Sequence, residues 1–578
     1  MWMRGLLWSA VLGGALIIGP SAFAEPSVEI TLGHGGYYLR GANVPATITL
    51  STFEEGFRGS LLLEAAYSEA APDLRLSFPV ALTPYSSTSR RVILPGDRDL
   101  ELLRAAAFVQ EPYPKDVRGS APGERPSGEG PPGDGDPVKE GPAVFEEVNA
   151  RRGGLDDSLI VCYSDDPDIL PEERLPGYRV VYARASTAPE NPAGYEGVAA
   201  VVAGGGPAED LTRPQVDALA SWAAAGGTVV FVDVPVLDGK PSPRGFGRFL
   251  HAPDERELFD ILRSSGQSSP LPLSLTSLET AEDRMRRHFA GLLETGAVGR
   301  TGILYLGLVA AGVIALLLAG RVFSGLGRFI LFPGFFAACT LVGGILFYLP
   351  EPEIGNRRMI SRITLLPGGG PYGITYAYTG FFSPDEADFD FPLPDSGLPV
   401  LPPLYGERGT TSSGGTRSVG FGENTSPRGT GFLIPVGPWE TAVTGVITGV
   451  PRGGTELMGR IESSENGYLL SVTNSGHLIS KEGILMIEGR VFRTGRILPE
   501  ERREWRISEG FPPDTDTGGP EPRENTSLGL GTDIYLDDPG FRRARETPIQ
   551  ILYPFETAPD IRDLRVLLFE YPGSESDG

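Results

Sequence analysis

A multidomain α/β plus β protein is the fold class this sequence predicts. The expected parts are an N-terminal β-sandwich, a doubly wound α/β domain, a two-helix transmembrane hairpin and a C-terminal β-sandwich-rich region. Three observations lead there. Residues 301–320 and 329–350 are two uncharged runs of about 20 residues, the length a helix needs to cross a hydrocarbon layer of ~30 Å. Residues 151–272 alternate strand-like apolar runs with helical stretches, the order of a parallel sheet covered by helices. On either side, short apolar segments are separated by Gly-rich turns, the mark of antiparallel β-structure.

The chain starts MWMRGLLWSAVLGGALIIGPSAFA, with Arg4, an apolar stretch and a small-x-small ending at Ala22-Phe23-Ala24. Residues 1–24 therefore read as a cleaved export signal. From 25 to 109, SVEITL, PATITL, GSLLLEAAYS and LRLSFPVAL are strand-like and are parted by GHGG, RGAN and TFEEG, as in a sandwich. Gly33-His34-Gly35-Gly36 is read as a turn: a phosphate cradle needs a helix behind it, and YYLRG follows instead. Residues 110–150 are mostly Pro, Gly, Ser and acid. They are expected to form a disordered spacer, because they bury too little apolar surface to fold.

The period changes in 151–272. SLIVCY, YRVVYA, GVAAVVAGGG and TVVFVDV are buried-type strands, and LTRPQVDALASWAAAGG is a helix. Thr212 caps it, Pro214 fits its first turn, Val216, Leu219, Ala220 and Trp222 share a face, and Gly226 and Gly227 end it. AVVAGGG…LTRPQVDALASWAAAGGTVVFVDV resembles the class I glutamine amidotransferase-like fold. In that family a Gly-ended strand leads to a helix with this Gln and Trp spacing, then to a Gly-Gly stop and another strand. The resemblance implies a fold and no activity. Catalytic members carry a cysteine on a sharp turn after a strand, whereas here Asp233-Val234-Pro235 follows TVVFV, Cys162 lies inside a strand, and the nearest histidine in sequence is His251. The amidotransferase nucleophile is therefore read as absent and Cys162 as a buried structural residue. Asp165, Asp166, Asp168 and Asp233 follow strands, where open α/β sheets bind ligands. Asp165, Asp166 and Asp233 are the only metal candidates, and loop carboxylates of an acidic protein are the plainer reading.

Residues 273–300 read as a juxtamembrane helix whose Arg284, Arg286 and Arg287 face either lipid headgroups or solvent. The hairpin follows: 301–320, a cytoplasmic turn at 321–328 bearing Arg321 and Arg328, and 329–350. With an exported start and two turn arginines, both large regions are expected outside the cytoplasm of an inner membrane. Residues 351–578 form the second β-rich region, with a low-complexity loop, LYGERGTTSSGGTRSVGFGENTSPRGTG, and the strands LMGRIESS, GYLLSVTNSG, GILMIEGRVFRTG and REWRISEG. The order of signal, sandwich, amidotransferase-like domain, membrane helices and sandwich resembles membrane-tethered bacterial multidomain proteins encoded beside MoxR-type ATPases.

The 578 residues carry a net charge of −24, which excludes a nucleic-acid binder that relies on basic surface. Two cysteines, Cys162 and Cys339, make no disulfide framework, and His34, His251, His288 and His477 have no zinc-site spacing. Ser412-Ser413-Gly414-Gly415 and Asn424-Thr425-Ser426 are not nucleophile elbows. No catalytic residue and no cofactor is expected. The favoured function is a non-enzymatic, membrane-anchored envelope scaffold whose partners are the lipid bilayer and other envelope or membrane proteins. Two alternatives stand beside it. One is a ligand- or metal-binding sensor, or an enzyme, on the α/β domain. The other is carbohydrate binding by a sandwich, which requires Tyr37, Tyr38, Tyr376 and Tyr378 to form an exposed aromatic row.

Overall fold

The computed structural model describes residues 26–109, 144–232, 242–265, 278–297, 356–405, 431–508 and 530–571, apart from short breaks within these spans. Strand period two builds the first unit. Val28, Ile30 and Leu32 of Ser27–Leu32, Ile48 and Leu50 of Val44–Ser51, and Leu61, Leu63 and Ala65 of Phe57–Ala66 all turn into one core. Two four-stranded sheets enclose it. One orders Ser27–Leu32, Val44–Ser51, Ser87–Leu94 and Leu398–Pro399; the other orders Leu74–Leu82, Phe57–Ala66, Leu102–Val109 and Val144–Asn149. Two elements differ from the sequence reading. Val144–Asn149 pairs with Leu102–Val109 inside the span read as spacer. Leu398–Pro399, more than 300 residues beyond its partner, adds a parallel edge to Ser87–Leu94.

The middle unit is a six-stranded sheet ordered Tyr178–Tyr182, Ser158–Tyr163, Val198–Gly204, Thr228–Val232, Gly247–Ala252, Ser242–Arg244; all its pairings are parallel except the last. Helix Arg213–Ala224 covers one face. Its Thr212 and Gln215 form a capping box, and Pro214 sits in its first turn. Gln215 also donates to the carbonyls of Ala185 and Ala188, both at 2.9 Å. Helix Glu255–Ser265 covers the other face through Leu258, Phe259 and Leu262.

The third unit is an eight-stranded sheet. Its order is Leu404–Tyr405, Glu440–Val450, Gly373–Ser383, Arg357–Pro367, Ile561–Phe569, Ile549–Ala558, Gly483–Ile487, Arg490–Gly495. Arg357–Pro367 and Ile561–Phe569 run parallel. Alternation splits the strand Ile561–Phe569 between two cores: Leu564, Val566 and Leu568 face the helices, while Leu567 and Phe569 face the three-stranded sheet of Leu457–Ser464, Gly467–Asn474 and Arg502–Ser508. Parallel sheet, helices, eight-stranded sheet and three-stranded sheet are therefore successive layers.

Helix Arg213–Ala224 lies between two sheets. Every residue from Ala218 to Ala224 is buried, as expected of a helix with sheet on both sides. Small residues allow the approach: a Cβ at Gly449 would stand 2.7 Å from Ser221 Oγ. Asn191 Nδ2 donates to the Ile447 carbonyl at 2.7 Å, and Ser221 Oγ donates to that of Val450 at 3.4 Å.

The expected fold class needs correction. Among the described residues strands make up 56% and helices 20%, so the described part is predominantly β. No helix among the described residues is long and apolar enough to cross a membrane. The expected hairpin over 301–350, its turn 321–328 and Cys339 lie outside the described residues, as does the export signal 1–24. The two-helix anchor, with the inner-membrane location and outward sidedness derived from it, therefore finds no support among the described residues. The longest described helix, Leu278–Ala297, falls in the span 273–300 expected to be a juxtamembrane helix with its arginines towards lipid headgroups or solvent. It instead packs Ala281, Met285 and Phe289 into the central core, and Arg284 pairs with Asp537. Its charged residues Glu282, Asp283, Arg284, Arg286 and Arg287 make it amphipathic, and one apolar stripe suits a sheet face better than lipid on all sides.

Gly449→Ala is expected to destabilise the full chain by about 1–3 kcal/mol in urea unfolding, through overpacking. Adding Ser221→Gly should recover part of that loss, with a coupling of about 0.5–3 kcal/mol. Strictly additive costs would show that the two residues do not touch.

Candidate functional site

In the order Tyr178–Tyr182, Ser158–Tyr163, Val198–Gly204 the chain reverses direction of growth beside Ser158–Tyr163. The crevice beyond the carboxyl ends of Ser158–Tyr163 and Val198–Gly204 is where an open α/β sheet binds ligands. This location makes Asp165, Asp166 and the glycines at 204–206 the natural candidates.

The chain's own loop lies over the Gly204 end of this crevice. Ile169 Cδ1 would stand 2.8 Å from a Cβ on Gly204, so the strand end is glycine because Ile169 occupies the space above it. Tyr182, at the end of the neighbouring strand, ties the loop down. Its hydroxyl donates to the Leu170 carbonyl and accepts from the Leu170 N–H, both at 3.1 Å. Burial pushes the Tyr182 hydroxyl up to about 12, with the Asp166 and Asp168 charges adding to the shift. It stays protonated and can make both bonds throughout the neutral range.

Asp165, Asp166 and Asp168 are exposed in this loop. Asp166 Oδ1 accepts from the Asp168 N–H at 2.9 Å, and Ser164 Oγ accepts from the Asp166 N–H at 3.1 Å, the pattern of turns that close on themselves. Asp233 lies outside the described residues. No group of three or more His, Cys, Asp or Glu side chains that could hold a metal occurs among the described residues.

Cys162 is fully buried, packed with Ile160, Val202, Val230, Leu258 and Phe259. Burial, and then the Asp166 charge, pushes its thiol up to about 12; thiolate chemistry needs the opposite shift. His251 cannot serve as its base. It lies on Gly247–Ala252, three strands away, or about 14 Å at the usual strand spacing. It shares the pleat side of Phe249, which belongs to the opposite core from Cys162.

The four tyrosines do not form an exposed row. Tyr38, Tyr376 and Tyr378 are buried, and the Arg179 guanidinium lies over the Tyr37 ring. Tyr376 meets Phe541 edge-on at 4.9 Å, and the Tyr378 hydroxyl donates to Asp538 at 3.3 Å. Sequence reasoning missed Ile169, Tyr182, Asn191 and Gln215 as the residues that close this region and bind its layers. The one local signal was Asn191 before Pro192, a side-chain cap whose Oδ1 accepts from the Ala193 N–H. No protein-family model matches the chain, and no curated protein sequence matches it.

In peptide mapping of the full chain, Cys162 should remain unalkylated by iodoacetamide at pH 8 until denaturant is added, because both burial and a thiol held near 12 oppose reaction. Prompt native-state labelling would contradict this geometry.

Proposed function

We infer that this chain is a non-enzymatic scaffold that holds other proteins, or is one component of a larger assembly. The observation that supports the reading is the loop over the carboxyl end of Val198–Gly204, where Ile169 lies against Gly204 and Tyr182 holds the Leu170 backbone. The resemblance of AVVAGGG…TVVFVDV to the amidotransferase-like fold fits this use, since fold alone carries no activity and His251, the histidine nearest Cys162 in sequence, lies three strands away. In this reading the α/β sheet is a spacer layer on which β units are mounted.

The β units supply what a binding module requires. Sheet edges such as Arg490–Gly495 and Leu457–Ser464 end their sheets among the described strands, and an edge can accept another chain's strand. Ile479 and Leu498 are 55% and 50% exposed, and they are neighbours because Asn474 Nδ2 donates to the carbonyls of both Leu478 and Leu498. The net charge of −24 directs the reading to proteins and away from nucleic acids.

Affinity capture with the full-length chain should recover the same proteins at constant stoichiometry. The recovery should be unchanged for a bait carrying Cys162→Ala, Asp165→Asn and Asp166→Asn. Repeated capture of nothing would defeat the scaffold reading. So would a saturable, Asp166-dependent heat on titrating the chain with Mg²⁺ or Ca²⁺, which would return the α/β unit to ligand binding.

A further inference from the structure

The Gly33–Tyr37 turn seals a histidine between two of the units. Gly33, Gly35 and Gly36 have φ of 59°, 57° and 94°, values that favour glycine. Gly35 backs onto the parallel sheet so closely that a Cβ there would lie 2.8 Å from the Tyr182 carbonyl oxygen. His34 then projects into the Pro192–Tyr195 turn. It is 3% exposed, its Nε2 is 3.1 Å from the Gly194 carbonyl oxygen, and its ring stacks on Tyr195 at 5.7 Å. The contact continues alongside: the Asn43 N–H donates to Glu196 Oε2 at 2.9 Å, and Gly197 lies against Leu39 and Ala42.

We propose that His34 is an acid-sensitive latch between the N-terminal sandwich and the parallel-sheet unit, which opens when the imidazole takes up a second proton. A carbonyl oxygen only accepts, so Nε2 carries the hydrogen and Nδ1 the lone pair. The second proton therefore falls on Nδ1 and places a cation in a site that water does not reach. The titratable and charged groups around the contact are Tyr37 on the same turn, Arg179 and Tyr182 on the adjoining strand, and Tyr195 and Glu196 on the facing turn. Tyr163 and the Arg91–Glu190 pair lie behind Tyr195. None of them contributes to the imidazole's shift. Burial lowers it to about 4, opposed only by the Gly194 carbonyl.

The sign follows from linkage. The latched form binds the proton more weakly than the open form, whose imidazole has the ordinary value near 6.5. The latch is therefore complete above about pH 6.5 and is lost progressively as pH falls towards 4. Between pH 7.5 and pH 5 the opening equilibrium should rise roughly 30-fold.

Hydrogen–deuterium exchange on the full chain tests this, with rates corrected for intrinsic pH dependence. Peptides spanning 30–45 and 189–197 should show the 30-fold rise, while the strand Ile561–Phe569 should not. His34→Gln keeps a neutral N–H donor and should abolish the pH dependence. Equal protection at pH 5 and pH 7.5 in the parent chain, or unchanged pH dependence in His34→Gln, would overturn the proposal. Should His34→Gln fail to fold, imidazole NMR of the parent chain decides the matter. Only four histidines contribute, and a His34 midpoint near 4 supports the latch whereas one near 6.5 refutes it.

Discussion

The rest of the structure depends on the close approach between helix Arg213–Ala224 and the eight-stranded sheet. The helix carries Ala218, Ala220, Ser221, Ala223 and Ala224 where longer side chains would force the layers apart. Glycine on the facing strand completes the fit at Gly449. A close-packed interior has little room for adjustment, so this one contact sets the spacing of the sheets on both sides. Asn191 reinforces it from the same side by donating to Ile447. A buried carbonyl left without a partner costs about 1–3 kcal/mol, so the bond favours this register of the two units over a shifted one.

This layering sets what surrounds the α/β unit. One face of the parallel sheet is committed to the helix and the sheet beyond it, and the other to helix Glu255–Ser265. At the carboxyl end, Ile169 lies against Gly204 and Tyr182 holds the neighbouring Leu170. Cys162 lies within one core and His251 on the opposite pleat side. A thiol and an imidazole so separated cannot exchange a proton, whatever their identity suggests in a list of residues.

The first and third units are also interlocked. Phe381, Phe391, Ala442 and Val446 enter the core of the N-terminal sandwich, and Leu398–Pro399 extends one of its sheets. A division of the chain at 351 therefore does not correspond to a division of the packing. Reading the chain in order hides this, because strand pairing across 300 residues leaves no local mark at either partner.

Several local features were determined by sequence alone. The Thr212 cap, Pro214 in the first turn and the Gly226-Gly227 stop are interactions within a few residues, and local sequence suffices to specify them. The change from two-residue alternation before 110 to the apolar runs at Ser158–Tyr163 and Thr228–Val232 was legible for the same reason. Apolar length at 301–350 was legible too, but a run of apolar residues by itself does not place a segment in a fold. Charge and amphipathicity show where a helix can turn a face, not against what, and only the tertiary structure put Leu278–Ala297 on a sheet. The tertiary structure alone also decided that Arg213–Ala224 would be covered on both sides and that Ile169 would lie against Gly204. It sealed His34 between two turns that are 160 residues apart. Each of these outcomes depends on which distant surfaces meet, and burial, the term that decides them, has no direction along the chain.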